Sequence, residues 1–313
     1  MAAVRRAGAP VESRAPAVTE GLATIPAIDF DLVQTLECGQ VFHWQREGAG
    51  FVGAVANEAV YVEQQGGNLL VPMGTEAAVA RYLALDHPLP VIYASFPADS
   101  AMQQALEFCR GLRILRQPAW ECLATFITSS MKQVAHIAQM SHAIRSRFGE
   151  RLSWRERPLY AYPTPERMAE LSEEDLRACG LGYRAKNLLG SARRIASGEV
   201  DISAIARMDF AEAREALCGL PGVGEKVANC ALLFGFERVE AFPIDVWIER
   251  VLREIYFRGK RRVTAKRLRD FSQTYFGAYG GYAQQYLFHH ARKTWRAAEK
   301  PAPRKMQPRE KSV

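Results

Sequence analysis

The amino-acid sequence predicts an α+β fold in which a small antiparallel β-sheet precedes a helical body. Two observations support this prediction. Between about residues 25 and 72, short and partly alternating apolar runs are separated by glycine, asparagine and charged turns, as in an antiparallel meander. From about residue 115, apolar residues recur at the three- and four-residue spacing of amphipathic helices, with short segments between them.

The order of the elements follows from the same patterns. Two helices are expected after the sheet, over 75–85 and 100–111. In the helical body, Thr164 and Ser172 each stand before an acidic residue at the start of a helical run, which is typical of a capped N-terminus, and Gly149 suits a C-cap. The runs that predict strands are CGQVFHWQ, GFVGAVAN, AVYVEQQ and NLLVP.

These elements divide the chain into four parts. We predict a disordered leader over 1–22 and a β-rich N-terminal domain over 23–114. A helical region over 115–297 follows. The tail over 298–313 is rich in proline, lysine and arginine, and is predicted to be disordered.

The composition restricts the class of partner. The chain has 313 residues, and Lys and Arg number 41 against 34 Asp and Glu, so its formal net charge of +7 favours a polyanionic partner only slightly. Seven basic residues are concentrated in 257–270. No apolar stretch approaches the ~18 residues that a membrane span requires, so we expect no membrane partner.

The six cysteines are scattered and form no CxxC pair. This distribution disfavours a disulfide framework and a zinc or iron–sulfur site. We therefore expect an intracellular protein, which would lie in the cytoplasm or nucleoid if the source is a prokaryote, and an organelle is the alternative. The amine chemistry considered below needs no metal and no organic cofactor.

The segment LPGVGEKVANC over 220–230 joins two predicted helices through a glycine-rich turn, in a hairpin over about 212–236. Gly222 and Gly224 permit tight backbone geometry and expose amide N–H groups beside the start of the second helix. Such a site suits a phosphate. An ordinary αα-corner with a glycine turn explains the two glycines equally well.

Lys226 falls in or near the first turn of the second helix, where the positive end of the helix dipole disfavours a protonated amine. Partial burial favours the neutral form further, and a neutral amine can attack an electrophilic sugar carbon. A phosphate clamp is the alternative role. Cys230, four residues on, lies on the same helical face, although a core position is the commoner explanation for a cysteine there.

Asp245 directly precedes a helical run in AFPIDVWIER, which predicts an N-cap. A carboxylate held near an amine can also stabilise positive charge on a sugar ring, or assist proton transfer. The two roles are compatible.

The pair LPGVGEKVA and FPIDVW, which contains Lys226 and Asp245, resembles the helix-hairpin-helix (HhH-GPD) DNA glycosylase superfamily. Four further stretches are similar to 8-oxoguanine DNA glycosylases, so the resemblance extends from about residue 25 to 297. The endonuclease III branch, with its C-terminal four-cysteine cluster, is disfavoured because no cysteine follows Cys230. The four stretches are CGQVFHW, ILRQPAWECLATFITSS, LGLGYRAKN and YAQQYLFHH.

The resemblance implies a two-lobed helical body with a DNA cleft between the lobes and a base-excision-repair activity on double-stranded DNA that contains oxidised guanine. Lys226 would attack C1′ of the damaged nucleotide, expel the base and form a Schiff base that undergoes β-elimination. Asp245 would stabilise the oxocarbenium-like transition state. A monomer is the simplest expectation.

The resemblance also implies how the base is held. The carbonyl of Gly39 would accept the N7–H that distinguishes 8-oxoguanine from guanine, because guanine presents an acceptor there and two facing acceptors remain unsatisfied. Cys230 and Phe288 would sandwich the ring. Gln284 would bind the Watson–Crick edge. Without the resemblance, Gln284 and Phe288 only predict one face of an amphipathic helix.

Further residues would contact the DNA. Tyr183 would fill the gap that base flipping leaves, with Arg184 beside it. Where vertebrate-type members have three asparagines this chain has Met131, Lys132 and Gln133, and His136 replaces an arginine that contacts the estranged cytosine. We therefore expect weak discrimination of the opposite base. Trp247 replaces a histidine that supports a phosphate in many members.

Two other hypotheses remain open at this stage. The chain could be a glycosylase for alkylated or other oxidised purines, which the residues of the base pocket would distinguish. It could instead be a non-catalytic DNA-binding module, against which the combination of Lys226 with Asp245 argues, because gripping a phosphate requires neither residue at these positions.

Overall fold

The computed structural model describes residues 21–129, 132–155, 157–259 and 262–298. Apart from residues 21, 22 and 298, the predicted leader and tail lie outside the described residues, as does Met131. The described strands are β1 (Leu22–Pro26), β2 (Gln45–Glu47), β3 (Gly50–Val55), β4 (Glu58–Gln65), β5 (Asn68–Pro72), β6 (Arg151–Trp154) and β7 (Arg157–Tyr160).

Helices occupy the chain around and after these strands. The α-helices of the described residues are α1 (Leu32–Glu37), α2 (Glu76–Tyr82), α3 (Leu89–Ala94), α4 (Ser100–Phe108), α5 (Ala119–Ser129), α6 (Val134–Phe148), α7 (Pro165–Ala169), α8 (Glu173–Arg177), α9 (Arg184–Ala196), α10 (Ile202–Ile205), α11 (Phe210–Cys218), α12 (Glu225–Gly235), α13 (Val246–Val251), α14 (Ala265–Phe276) and α15 (Gly280–Ala298). A π-helical segment (Leu252–Tyr256) extends α13, and a short 3₁₀ turn (Gly277–Tyr279) precedes α15.

The first five strands form one antiparallel sheet in the order β1-β5-β4-β3-β2, which confirms the predicted α+β class. One face of the sheet packs on α1 and α2, where Val60, Val62 and Leu69 are fully buried. The other face packs on the β6–β7 hairpin, and the rings of Tyr61 and Trp154 stack with centroids 5.4 Å apart. The sheet is therefore covered on both faces.

The segment 38–44, which was predicted as a strand, does not form one, and the prediction is wrong there. Gly39 has a φ of +94°, which breaks an extended strand. The buried Gln40 fixes the segment by side-chain hydrogen bonds, donating to the carbonyls of Thr35 (2.9 Å) and Arg113 (2.8 Å). The first strand of the sheet is instead β1, which was not predicted from the sequence, and neither was the β6–β7 hairpin.

Local capping patterns hold in the helical body. Thr164 and Ser172 cap α7 and α8 as predicted, and Ser172 forms a reciprocal capping box with Asp175. Gly149 follows the last residue of α6. Its φ is ordinary, but a Cβ at this position would lie 2.0 Å from the carbonyl oxygen of Ala161, so close packing of the backbone requires glycine there.

The helical body has two lobes with a cleft between them. We define the first lobe as α5–α12, whose helices pack on one another. We define the second lobe as α4 and α13–α15, in which α15 contacts the other three helices. Among the described helices, none combines the length and the apolar character that crossing a membrane requires.

Candidate active site

The glycine-rich turn joins α11 to α12 and is anchored by the buried side chains of Leu220 and Val223. Gly222 is exposed and has a φ of +76°; a Cβ there would lie 2.7 Å from the Cβ of Asn187. Gly224 is the N-cap of α12 and has open space around it. The turn therefore presents backbone at the start of α12, with glycine obligatory at only one of the two positions.

Lys226 is the second residue of α12 and is half-buried. Its Nζ lies 3.3 Å from the hydroxyl oxygen of Ser129 and 5.1 Å from the ring centroid of Phe126. Both partners belong to α5, against which α12 packs. The amine is thus directed across the helix pair toward the cleft.

Asp245 is the N-cap of α13, as predicted, and its Oδ1 accepts the backbone N–H groups of Trp247 (3.0 Å) and Ile248 (2.9 Å). Burial raises the pKa of the carboxyl above its ordinary value of 3.8, and the hydrogen bond from Ile248 and the positive charge of Lys226 oppose this rise only in part. The fold therefore holds a carboxylate in a place that penalises its charge.

The amine and the carboxylate face one cavity of about 590 Å³ between the two lobes. The first lobe contributes Lys226 from α12, and the second lobe contributes Asp245 at the start of α13. The cavity wall brings together eight of the residues that the sequence analysis selected, namely Gly39, Gln133, Lys226, Cys230, Asp245, Trp247, Gln284 and Phe288.

One end of the cavity is built by the segment after α1 and by α15. The side-chain oxygen Oε1 of Gln284 is buried and has no hydrogen-bond partner among the described residues. The guanidinium of Arg292 lies 5.3 Å from the ring centroid of Phe288 and donates to the carbonyl of Glu37 at 2.8 Å. It packs so closely on Gly39 that a Cβ there would lie 2.6 Å from Nη1.

Cys230 lies in the opposite wall of the cavity and is buried. Burial raises the pKa of its thiol to about 11, which the positive charge of Lys226 opposes in part. The thiol is therefore protonated at neutral pH and presents a polarizable, weakly polar surface to the cavity.

Five of the selected DNA-contact residues are not in the cavity wall, namely the hairpin glycines Gly222 and Gly224 together with Tyr183, Arg184 and His136. Tyr183 is 60% exposed at the start of α9, and the guanidinium of Arg184 stacks 4.4 Å from the centroid of its ring. Arg184 itself is buried, with Nη1 3.4 Å from the carbonyl of Leu181. His136 is exposed in the first turn of α6, whereas Gln133 is the N-cap of that helix and reaches the cavity.

Four residues that shape the site were not predicted from the sequence, namely Gln40, Phe126, Ser129 and Arg292. Phe126 and Ser129 stand in the quoted stretch ILRQPAWECLATFITSS, which carried the family resemblance but gave neither residue a role. Gln40 stands in the quoted CGQVFHW. The signal for Arg292 was the face it shares with Phe288 four residues earlier.

A glycine hairpin that carries a lysine, with an aspartate across a shared cleft, defines the class of helix-hairpin-helix DNA glycosylases. Residues 124–275 match the family model of the HhH-GPD superfamily base excision DNA repair proteins. Residues 23–123 match the model of the 8-oxoguanine DNA glycosylase N-terminal domain. The chain belongs to the 8-oxoguanine DNA glycosylase family within that superfamily.

Relatives and solved structures agree with this assignment. A probable N-glycosylase/DNA lyase of Methanothermobacter thermautotrophicus is 31% identical over 86% of this chain and 96% of its own length. An N-glycosylase/DNA lyase of Arabidopsis thaliana is 29% identical over 83% of this chain and 77% of its own. The Clostridium acetobutylicum 8-oxoguanine glycosylase/lyase, in complex with double-stranded DNA containing cytosine opposite the lesion, superposes with a TM-score of 0.83 at 30% identity, covering 88% of this chain and 96% of that chain.

Proposed function

We propose that the chain is a base-excision-repair DNA glycosylase with AP-lyase activity that removes 8-oxoguanine from duplex DNA. The proposal rests on one observation: a shared cavity of about 590 Å³ is lined by Lys226 from one lobe and by Asp245 from the other. A phosphate-binding module would need neither group in a cavity. The two relatives described above are named N-glycosylase/DNA lyases, and the Clostridium acetobutylicum protein is named an 8-oxoguanine glycosylase/lyase.

The chemistry begins with the lone pair of the Lys226 amine, which attacks C1′ of the flipped nucleotide. The bond from C1′ to the base breaks, and the base leaves with the bonding electrons and takes up a proton. The carboxylate of Asp245 stabilises the positive charge that develops on the sugar. The C1′–O4′ bond of the covalent adduct then breaks as the nitrogen forms the C=N bond of a Schiff base, and O4′ takes up the proton that the nitrogen loses. Loss of the C2′ proton then expels the 3′ phosphate by β-elimination. No metal or cofactor enters these steps.

Recognition of the base rests on the residues at the far end of the cavity. The carbonyl of Gly39 accepts the N7–H of 8-oxoguanine, and Cys230 and Phe288 contact the two faces of the ring. Gln284 binds the Watson–Crick edge, and its unpartnered Oε1 supports this role, because a buried acceptor without a partner costs about 1–3 kcal/mol that a donor on the base can recover.

DNA handling is assigned to residues outside the base pocket. The turn with Gly222 and Gly224 binds a backbone phosphate, and Trp247 lies beside the cleft at the start of α13. Tyr183 fills the gap left by the flipped base, which its exposure supports. Arg184 contributes to this wedge through its contact with the Tyr183 ring.

We further propose relaxed specificity for the opposite base, from residues in and near the cleft. Gln133 and His136 are exposed at the start of α6, and neither offers the fixed, planar donors of an arginine. The enzyme is proposed to act as a monomer inside the cell, in keeping with the free state of all six cysteines.

Borohydride trapping tests the proposed function. The chain is incubated with duplexes that carry 8-oxoguanine or an alkylated purine opposite each of the four bases, and covalent adducts are separated by electrophoresis. We expect an adduct with 8-oxoguanine that is lost in Lys226→Gln. An adduct that forms only with alkylated purines supports a glycosylase for alkylated purines. If no damaged purine gives an adduct, the result supports a non-catalytic DNA-binding module.

A further inference from the structure

Two contacts from α5 hold the amine of Lys226, which also lies within hydrogen-bonding reach of the Cys230 thiol one turn along its own helix. The hydroxyl oxygen of Ser129 lies 3.3 Å from Nζ, and the ring centroid of Phe126 lies 5.1 Å from it. Ser129 and Phe126 are three residues apart, so they lie on the same face of the helix. One face of α5 therefore contributes two of the contacts that place the end of a long, flexible side chain.

The direction of the hydrogen bond between Ser129 and Lys226 is set by a second bond. Ser129 Oγ is 2.7 Å from the carbonyl oxygen of Phe126, to which the hydroxyl donates its only hydrogen. The oxygen of Ser129 can then only accept from Lys226. A neutral amine that donates one N–H to Ser129 does not use its lone pair in that bond, whereas a donor at the position of Ser129 would occupy the lone pair.

The α5 residues that make these contacts are closely packed against α12. Ser129 is buried, and the ring of Phe126 stacks on Phe234 of α12 with centroids 5.4 Å apart and an interplanar angle of 14°. The two helices approach so closely that a Cβ on Gly235 would lie 3.1 Å from the Cβ of Cys122. Ser129 also lines the cavity that Asp245 enters from the other lobe, so its lone pairs stand at the reaction site.

We propose that Ser129 is a positioning residue for the nucleophile: its hydroxyl oxygen holds the Lys226 amine as a hydrogen-bond donor and leaves the lone pair directed into the cavity. The inference rests on the proposed function, since it requires Lys226 to be the attacking group. It assigns no contact with DNA to Ser129, so its effect falls on the reaction rate and not on binding.

The test compares three variants. Ser129→Ala removes the acceptor. Ser129→Thr keeps the hydroxyl and adds a methyl group at a position that borders the cavity. Thr128→Ala is the matched control, because Thr128 is equally buried and its Oγ1 donates to the carbonyl of Thr125 at 2.7 Å, but it does not line the cavity. Single-turnover excision, borohydride trapping, affinity for a duplex with an uncleavable lesion analogue and thermal unfolding are measured for each.

We expect Ser129→Ala to slow excision and trapping by about 10- to 100-fold, as a displacement of a reacting group by ~1 Å does, with duplex affinity within about twofold of the parent. Ser129→Thr and Thr128→Ala should stay within about threefold of the parent rate. An Ala variant as fast as the parent overturns the inference. So does a Thr128→Ala variant as slow as Ser129→Ala, or a Thr variant as slow as the Ala variant. A parent protein that forms no adduct overturns the proposed function instead.

Discussion

The Oδ1 atom of Asp245 accepts the backbone N–H of Ile248 at 2.9 Å, so the proposed catalytic carboxylate is also the cap of α13. The capping role needs only an oxygen acceptor, whereas the proposed catalytic role needs a negative charge. Burial works against that charge, because it raises the pKa of the carboxyl. Catalysis and stability therefore place opposite demands on one side chain.

An Asp245→Asn substitution should separate these demands. Asparagine caps a helix about as well as aspartate, so α13 is retained, but the charge is lost. We expect single-turnover excision to fall by about 10²- to 10³-fold, the usual cost of removing one electrostatic stabiliser of a transition state. The temperature of thermal unfolding should rise once the pH is high enough to ionise the parent carboxyl, because the buried charge is removed. Asp245→Ala loses the cap as well, so its free energy of unfolding should be about 1 kcal/mol lower. An Asn variant that keeps near-parental excision would show that the charge of Asp245 has no role in the reaction.

The pH dependence of both properties follows from the raised pKa of Asp245. As the pH falls through this pKa, the carboxyl is protonated and excision declines, so the acid limb of the rate profile should lie above pH 3.8 and be missing from the residual activity of Asp245→Asn. For stability the sign is reversed. The pKa is higher in the folded state than in the unfolded state, so protonation of the carboxyl stabilises the folded state. This contribution to the free energy of unfolding is complete below pH 3.8 and is lost as the pH rises through the raised pKa.

The difference in unfolding temperature between Asp245→Asn and the parent should therefore grow in favour of Asn as the pH increases from 3.8, and level off once the parent carboxyl is ionised. Calorimetry of both proteins in a series of buffers measures this difference. A difference that shrinks with increasing pH would mean that the folded state favours the ionised form.

The two glycines of the hairpin should respond differently to alanine. In Gly222→Ala, the new Cβ meets the Cβ of Asn187 at 2.7 Å and the φ of +76° is strained for any L-residue, so we expect a loss of about 1–3 kcal/mol of stability and weaker duplex binding. In Gly224→Ala, the Cβ enters open space, and the cost is limited to a poorer N-cap, below about 1 kcal/mol. Thermal unfolding and fluorescence anisotropy with an abasic duplex compare the two. Equal losses would show that strain at Gly222 is relieved by a shift of the turn.

How far the sequence predicts this fold depends on how local each signal is. The caps at Thr164 and Ser172 depend on residues within one helical turn, and they were predictable. The β6–β7 hairpin is held on the sheet by Trp154 stacked on Tyr61, a contact between distant segments with no local signature. The strand predicted over 38–44 failed because the side-chain hydrogen bonds of Gln40 replaced a backbone ladder, which an alternating apolar pattern does not reveal.

The candidate site shows the same limit. Lys226 is unusual in the first turn of a helix, whereas Asp245 alone predicts an ordinary N-cap. The sequence selected both because their two short motifs together resemble one family. Ser129 is a buried serine that bonds to its own helix, which is an ordinary structural role. Ser129 and Lys226 are 97 residues apart in the chain, so only the packing of α5 on α12 brings these two side chains together.

Substitution of His136 by arginine should change the preference of the enzyme for the base opposite the lesion. An arginine at this exposed position supplies several fixed N–H donors, which the N3 and O2 acceptors of an unpaired cytosine can accept together. Adenine offers one acceptor beside an amino donor on the same edge, so one arginine donor is left unsatisfied. In His136→Arg, the ratio of excision opposite cytosine to excision opposite adenine should therefore rise by about tenfold, the lower part of the range for a bidentate contact.

His142→Arg is the matched control for that substitution, since His142 is exposed farther along the same helix and does not line the active-site cavity. It adds the same charge, so both variants should bind duplex DNA more tightly at low salt, and only His136→Arg should change the ratio. The parent ratio is expected to lie within about tenfold of unity, because neither Gln133 nor His136 presents the two fixed donors that favour cytosine. A parent enzyme that strongly prefers cytosine, or a His142→Arg variant that shifts the ratio as much, would place the discriminating contact elsewhere in the cleft.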